Sequence, residues 1–267
     1  MYYVILFLIF SVGFSSLYTF TTNMMGYFII LWVFLGIISG LLLTILYCIL
    51  FIEIGSKTTP KSKAKVFHLR NALWLAFKFN HVKITSEGLE NIPFGKPYVI
   101  YSNHKSMLDP AAIYMELNSV ISAIGKKNLF GFWPMNRITA CFGALPMDRD
   151  NNREAAKNMI AAIKAVKEGM PMIIFPEGGI KTRDVEEMVE LKAGAYKLAM
   201  KANAPIVPTT IIGSSAISKE KRTKKKNIHI IFHKPIFKED YEGKTTLEVG
   251  TYVESLINED IQEYEKK

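Results

Sequence analysis

The sequence predicts an α/β fold with a mainly parallel central sheet flanked by helices, preceded by an N-terminal transmembrane helical hairpin. Three observations carry this expectation. Residues 1–54 contain one charged side chain, Glu53, and no Lys or Arg. Beyond them, short and nearly all-apolar runs recur at 97–102, 119–124, 170–175, 205–212 and 228–232. Segments with helical spacing of apolar residues lie between them. Continuous apolar runs suit strands covered on both faces, and their alternation with helices suits parallel crossover connections.

The hairpin comes first. Residues 27–52 are uncharged throughout, and a helix of that length reaches about 39 Å, enough to cross a ~30 Å hydrocarbon core with tilt. Residues 2–20 form a second apolar stretch, diluted by Ser11, Gly13, Ser15, Ser16 and Thr19, and the short link TTNMMG joins the two. A secretory leader fits poorly, because the stretch has no positive n-region and no small-residue cleavage site before the next span. Lys57, Lys61, Lys63 and Lys65 follow the second span. The positive-inside rule therefore places that flank, and the body behind it, on the cytoplasmic face of an integral membrane protein.

Charge supports this division. The whole chain carries +9 and residues 1–54 carry −1, so residues 55–267 carry +10. A greasy uncharged head on a basic body suits a membrane anchor whose body meets anionic phospholipid or phosphorylated ligands, and no nucleic-acid partner is expected. Cys48 lies in the head and Cys141 in the body. Two such cysteines make no disulfide framework, which fits a reducing compartment.

Three regions result: 1–54, the hairpin; 55–80, a basic linker and interfacial amphipathic helix; and 81–267, the α/β domain. In the second region Val66, Leu69, Leu73, Ala76 and Phe77 share a helical face over 66–79, and His68 reads as an interfacial residue. In the third, residues 111–117, 152–168, 185–201 and 244–266 read as helices. The 152–168 helix places Ala156, Met159, Ile160, Ile163 and Val166 on one face. Asn151 and Glu154 form a capping box at its start, and Gly169 is a stop. Asp184 and Glu187 begin the 185–201 helix.

Open parallel sheets bind ligands beyond the carboxyl ends of their strands. His104 follows one apolar run, Glu177 another and Ser214 with Ser215 a third. His104 and Asp109 are five apart in NHKSMLD, so on a regular helix they would be separated by about 140° of rotation. They meet only across a tight irregular turn. Pro110 suits the first position of a helix, which makes Asp109 an N-cap. An N-cap aspartate needs no other role, and position alone leaves that reading level with a second. A carboxylate has two oxygens and can cap a helix while it orients an imidazole for acid–base work. No G-x-S-x-G elbow is present, Ser106 is generic, and Cys141 has no base near it in sequence and reads as a small core residue. Direct transfer to a hydroxyl therefore fits better than a covalent enzyme intermediate. No metal is expected: His229 and His233 would share a strand face about 13 Å apart, and His81 stands alone.

Four blocks now stand in order between residues 97 and 212: NHKSMLD (103–109), FGALPMDRD (142–150), FPEG (175–178) and APIVPTTI (204–211). Together they resemble the ordered blocks of the glycerolipid acyltransferases, especially the bacterial 1-acylglycerol-3-phosphate acyltransferases. The third block departs from that pattern, because EGGIKTRD delays Thr182 and Arg183. LKAGAYKLA (191–199) resembles the downstream stretch in which a basic residue, here Lys192, precedes a glycine, Gly194.

The resemblance implies roles by position. His104 takes the proton of the acceptor hydroxyl and Asp109 supports it. Arg149 binds the acceptor phosphate, and Glu177 and Gly178 shape that pocket. Asn103, Gly143, Arg183 and Lys192 join them as substrate-binding candidates. The bland readings are a solvated Arg149 and a helix-capping Glu177. The implied activity moves a fatty acyl group from acyl-CoA or acyl-ACP, as co-substrate, to the 2-hydroxyl of lysophosphatidic acid, giving phosphatidic acid in phospholipid biosynthesis. No resident cofactor is implied. Alternatives are an acyltransferase for another lysophospholipid, a non-catalytic membrane-anchored phospholipid-binding protein, or a phosphoester hydrolase. Phe130, Phe132, Trp133 and Met135 read as core or membrane-contact residues, or as an acyl-chain lining. The run KEKRTKKK (219–226) reads as a solvated loop, or as a surface for anionic headgroups or an acidic carrier protein.

Overall fold

The structure, a computed structural model, describes residues 1–22, 29–148 and 151–266. Two apolar helices, α1 (Tyr2–Thr22) and α2 (Ile29–Ser56), run antiparallel. Both are long and apolar enough to cross a membrane. Most of the link TTNMMG lies outside the described residues. The two helices meet through small side chains: Gly36 faces Ser15 and Ser11, and Gly40 faces Ser11 and Phe7. A Cβ at Gly40 would stand 2.9 Å from the Ser11 amide nitrogen, closer than real contacts allow. In an apolar surround, where burial adds little between helices, such close backbone packing holds them together. A Gly40→Leu variant is therefore expected to force the hairpin open. In detergent its melting temperature should fall by about 5 °C, the equivalent of ~1–3 kcal/mol of overpacking. An unchanged melt would show that the pair does not hold the hairpin.

After a short lysine-bearing loop, α3 (Lys63–Phe79) packs Val66 and Phe77 onto the body. Its Lys65 is buried and donates to the carbonyls of Thr58 and Cys141, which fixes the start of α3 against the domain.

Seven strands form one sheet: β1 (Val82–Glu87), β2 (Val99–Ser102), β3 (Ser122–Lys126), β4 (Leu145–Met147), β5 (Met172–Ile174), β6 (Ile206–Ile212) and β7 (Lys226–Phe232). Their spatial order is β1-β7-β6-β2-β5-β3-β4, and every neighbouring pair is parallel except β6–β7. Five strands match the apolar runs within a few residues. β1 had no such run, because it alternates half-buried and exposed residues at an edge of the sheet. β4 has three residues and contains a proline.

The helices of the body are α4 (Asp109–Leu117), α5 (Met135–Cys141), α6 (Asn152–Lys167), α7 (Lys197–Ala202), α8 (Ala216–Lys219), α9 (Lys238–Tyr241) and α10 (Thr246–Glu265). They cover both faces of the sheet, so its alternate residues enter two cores. Val99 and Tyr101 pack with α6, α7 and α10, through residues such as Val166, Leu198 and Val253. Tyr98 and Ile100 pack with α3 and α4, through Phe77, Ile113 and Leu117. Asn151 caps α6 by accepting from the amides of Arg153 and Glu154. Ile160 of that helix is 68% exposed, outside the apolar face expected of it.

The expected helix over 185–201 is corrected to an irregular segment as far as Lys192, a 3-10 turn at Ala193–Tyr196, and α7. Tertiary hydrogen bonds use the backbone groups that a helix would need. The Glu186 carbonyl accepts from Asn103, the Met188 amide donates to Asn258, and the Lys192 amide donates to the Pro176 carbonyl.

Candidate active site

β5, β2 and β6 are neighbours at the centre of the sheet and run parallel, so the turns that leave them emerge at one edge. These turns carry Glu177, His104 and Ser214. Asn103 ties two of them together: its side chain accepts from the Ile211 amide at 2.8 Å and donates to the Ile211 carbonyl at 2.7 Å. Asn103 is fully buried and braces the edge.

The turn from His104 to Leu108 wraps around one atom. Asp109 Oδ2 accepts from the Lys105 and Ser106 amides, each at 2.8 Å, and stands 2.9 Å from His104 Nδ1. The Asp109 amide closes the turn onto the Ser106 carbonyl. The N-cap expectation needs correction here. α4 begins at Asp109 itself, with Leu108 before it, and the carboxylate reaches back to the turn and not forward to the amides of α4. An oxygen that already accepts two N–H groups faces the ring as an acceptor, so Nδ1 carries its hydrogen and Nε2 presents a lone pair. No described residue bonds that Nε2. The ring lies on Phe175, with centroids 4.1 Å apart and planes 19° apart. The imidazole is 16% exposed and the carboxylate fully buried.

Glu177 supports the same turn from β5. Its Oε1 accepts from the His104 amide at 2.7 Å, and its Oε2 pairs with Lys105 Nζ at 3.2 Å. Both partners of this ion pair are fully buried. Glu177 thus sits behind His104, with each of its oxygens engaged by the turn. Gly178 adopts φ +70°, and a Cβ there would lie 2.8 Å from Lys192 Cε. The third block and the downstream basic stretch therefore meet at this point. Lys192 itself is exposed. Arg183 is half-buried, and its Nε has no partner among the described residues. Gly143 turns the chain after α5 with φ +63°, against Pro60. Arg149 lies outside the described residues.

Lys105, Phe175 and Glu186 were not singled out by the sequence pattern. Phe175 was within reach, since it opens the FPEG block. Nothing local marks Lys105 as buried. Glu186 lies behind the turn, where one oxygen accepts from Ser215 Oγ and the other is buried with no partner among the described residues. Burial raises its pKa above the ordinary carboxylate range. Asp109 adds to that rise, and Ser215 and Lys105 oppose it. A raised folded-state pKa favours the protonated form, so this contribution to stability is full below the unfolded pKa and is lost as pH rises through the folded value. A Glu186→Gln variant does not titrate there. Its melting temperature relative to the parent should therefore climb as pH rises above the unfolded carboxylate pKa, by roughly 2–4 °C for each kcal/mol relieved. A difference that stayed constant with pH would contradict the assignment.

A histidine held by a buried carboxylate at the carboxyl edge of a mostly parallel sheet is an arrangement that can move a proton to or from a hydroxyl. A family model described as acyltransferase matches residues 83–212. A probable 1-acyl-sn-glycerol-3-phosphate acyltransferase of Mycoplasma pneumoniae is 30% identical over 66% of this chain and 70% of its own length. The 1-acyl-sn-glycerol-3-phosphate acyltransferase of Bacillus subtilis is 30% identical over 67% of this chain and 86% of its own. A crystal structure of the 1-acyl-sn-glycerophosphate acyltransferase of Thermotoga maritima shares the fold, with a TM-score of 0.66, 20% identity, and coverage of 81% of this chain and 88% of that one. The chain belongs to this acyltransferase family. It spans about half the length of its chloroplast relatives, such as that of Brassica napus (52%).

Proposed function

We propose that this protein transfers a fatty acyl group from an acyl thioester, on coenzyme A or acyl carrier protein, to the 2-hydroxyl of 1-acylglycerol-3-phosphate, forming phosphatidic acid at the cytoplasmic face of the membrane. The observation that carries the mechanism is the 2.9 Å contact between His104 Nδ1 and Asp109 Oδ2, which leaves Nε2 free. Nε2 takes the hydroxyl proton as that oxygen attacks the thioester carbonyl. The tetrahedral centre then collapses, the C–S bond breaks, and the departing thiolate takes the proton from the imidazolium. Asp109 stabilises the imidazolium between these two steps and holds its tautomer. Arg149, Arg183 and Lys192 supply positive charge for the acceptor phosphate. Phe132 and Trp133 are half-exposed, and the Trp133 indole donates to Glu53 of α2, so they offer an apolar surface to the acyl chain beside the membrane.

The full chain, reconstituted with an acyl thioester and lysophosphatidic acid, should form phosphatidic acid and release one thiol per product. Parallel reactions with acyl-CoA and acyl-ACP assign the donor. No thioester consumption would favour a lipid-binding protein, and phosphate release without a donor would favour a hydrolase.

A further inference from the structure

A cavity of about 810 Å³ opens between α3, the start of α1, and the chain that leads from α4 into β3. Lys63, Phe67, Arg70 and Trp74 come from α3, and Met115 and Val120 from the other wall. Lys63 and Arg70 are seven residues apart, two helical turns, so they point the same way. Neither forms an ion pair among the described residues. The cavity therefore sets the cations Lys63 and Arg70 beside apolar side chains, with the neutral polar Asn71, Asn118 and Ser119 also in its lining. It lies at the other end of α4 from His104: Met115 is in the last turn of that helix and Val120 follows it, whereas His104 precedes its N-terminal end.

Its position relative to the membrane hairpin indicates the ligand. Beside the cavity, the hydroxyl of Tyr2 in α1 bonds that of Tyr47 in α2, and Tyr47 bonds His68 of α3. Tyr2 also packs edge-on against Phe67, a cavity residue. Tyrosines gathered where a spanning hairpin ends mark the headgroup level of a bilayer. A guanidinium and an ammonium at that level, above apolar walls, match a lipid phosphate with its glycerol and first methylenes below. We propose that this cavity binds the headgroup of an anionic bilayer phospholipid, at a site separate from the acceptor site. The proposal rests on the placement of the hairpin in the membrane and not on the catalytic reading.

Native mass spectrometry of the detergent-solubilised full chain, offered phosphatidylglycerol and phosphatidylcholine with matched acyl chains, tests it. The parent protein and a His104→Ala variant should both retain phosphatidylglycerol preferentially. A Lys63→Gln/Arg70→Gln variant should lose that preference by about tenfold or more, as expected for two cations that each contribute ~1 kcal/mol. A Val120→Trp variant, which fills the cavity and keeps both charges, should also lose retention. Photoreactive phosphatidylglycerol on the unsubstituted protein should label residues 63–74 and 115–120, which locates the site even where a variant folds poorly. Equal retention of both lipids, an unchanged preference in the charge variant, or labelling elsewhere would overturn the proposal. Displacement of the lipid by excess inorganic phosphate would overturn it in favour of a free-phosphate site.

Discussion

Replacement of His104 by alanine is expected to lower phosphatidic acid formation by about 10²–10⁴-fold, the range that a positioned general base contributes, and to leave the fold intact. Among the described residues the imidazole makes one hydrogen bond, to Asp109, and one ring contact, with Phe175. Its loss leaves the Asp109 oxygen with the Lys105 and Ser106 amides, and the backbone N–H at position 104 can still donate to Glu177. The turn therefore keeps the bonds that shape it, and the melting temperature should move by only a few degrees, as for loss of ~1 kcal/mol. Binding of lysophosphatidic acid should survive, because no phosphate-binding role falls on the ring. The informative measurement is a paired one, product formation against lipid binding in the same preparation. Retention of more than about a tenth of the activity would remove His104 from the proton transfer.

The parts of this site that could be read from the sequence are those fixed by local chemistry. Pro110 and the five-residue spacing imposed a turn in which His104 and Asp109 could meet. The apolar runs located the central strands, and their order placed His104, Glu177 and Ser214 at strand ends. The sequence was silent where distant residues decide. Asp109 looked like a helix cap because a cap is the local use of an aspartate before proline. In the fold, the amides of Lys105 and Ser106 curl back and claim the carboxylate. Residues 185–192 have helical composition, yet contacts to Asn103, Asn258 and Pro176 draw the segment out along the sheet edge. Lys226 belongs to a run that reads as solvated, but it is buried and donates to the carbonyls of Lys221 and Lys224, which closes its own loop. Each reversal came from a contact with a residue outside the local pattern, or from a carbonyl that only the folded loop brings near.

The largest effect on stability is expected at Lys105, a residue with no local sign of importance. Its ammonium is fully buried and its one ion-pair partner among the described residues is Glu177, also fully buried. Two charges removed from water offset each other only while both are present. A Lys105→Met variant fills similar volume but leaves a buried carboxylate with one remaining donor, the His104 amide. Breaking such a pair costs about 3–5 kcal/mol, enough to lower the melting temperature by roughly 10 °C or more in a chain of this size. Adding Glu177→Gln removes the orphaned charge and keeps a carbonyl to accept from the His104 amide. The double variant should therefore recover most of the loss, since replacing a whole buried pair is often close to neutral. Activity separates this from a general loosening of the domain. Lys105 and Glu177 touch His104 and Asp109 through backbone amides, so restoring the pair's neutrality should restore the turn and turnover with it. If the single variant melts like the parent, water reaches the pair. If the double variant melts like the parent yet stays inactive, charge at Glu177 has a role in the reaction beyond holding the turn.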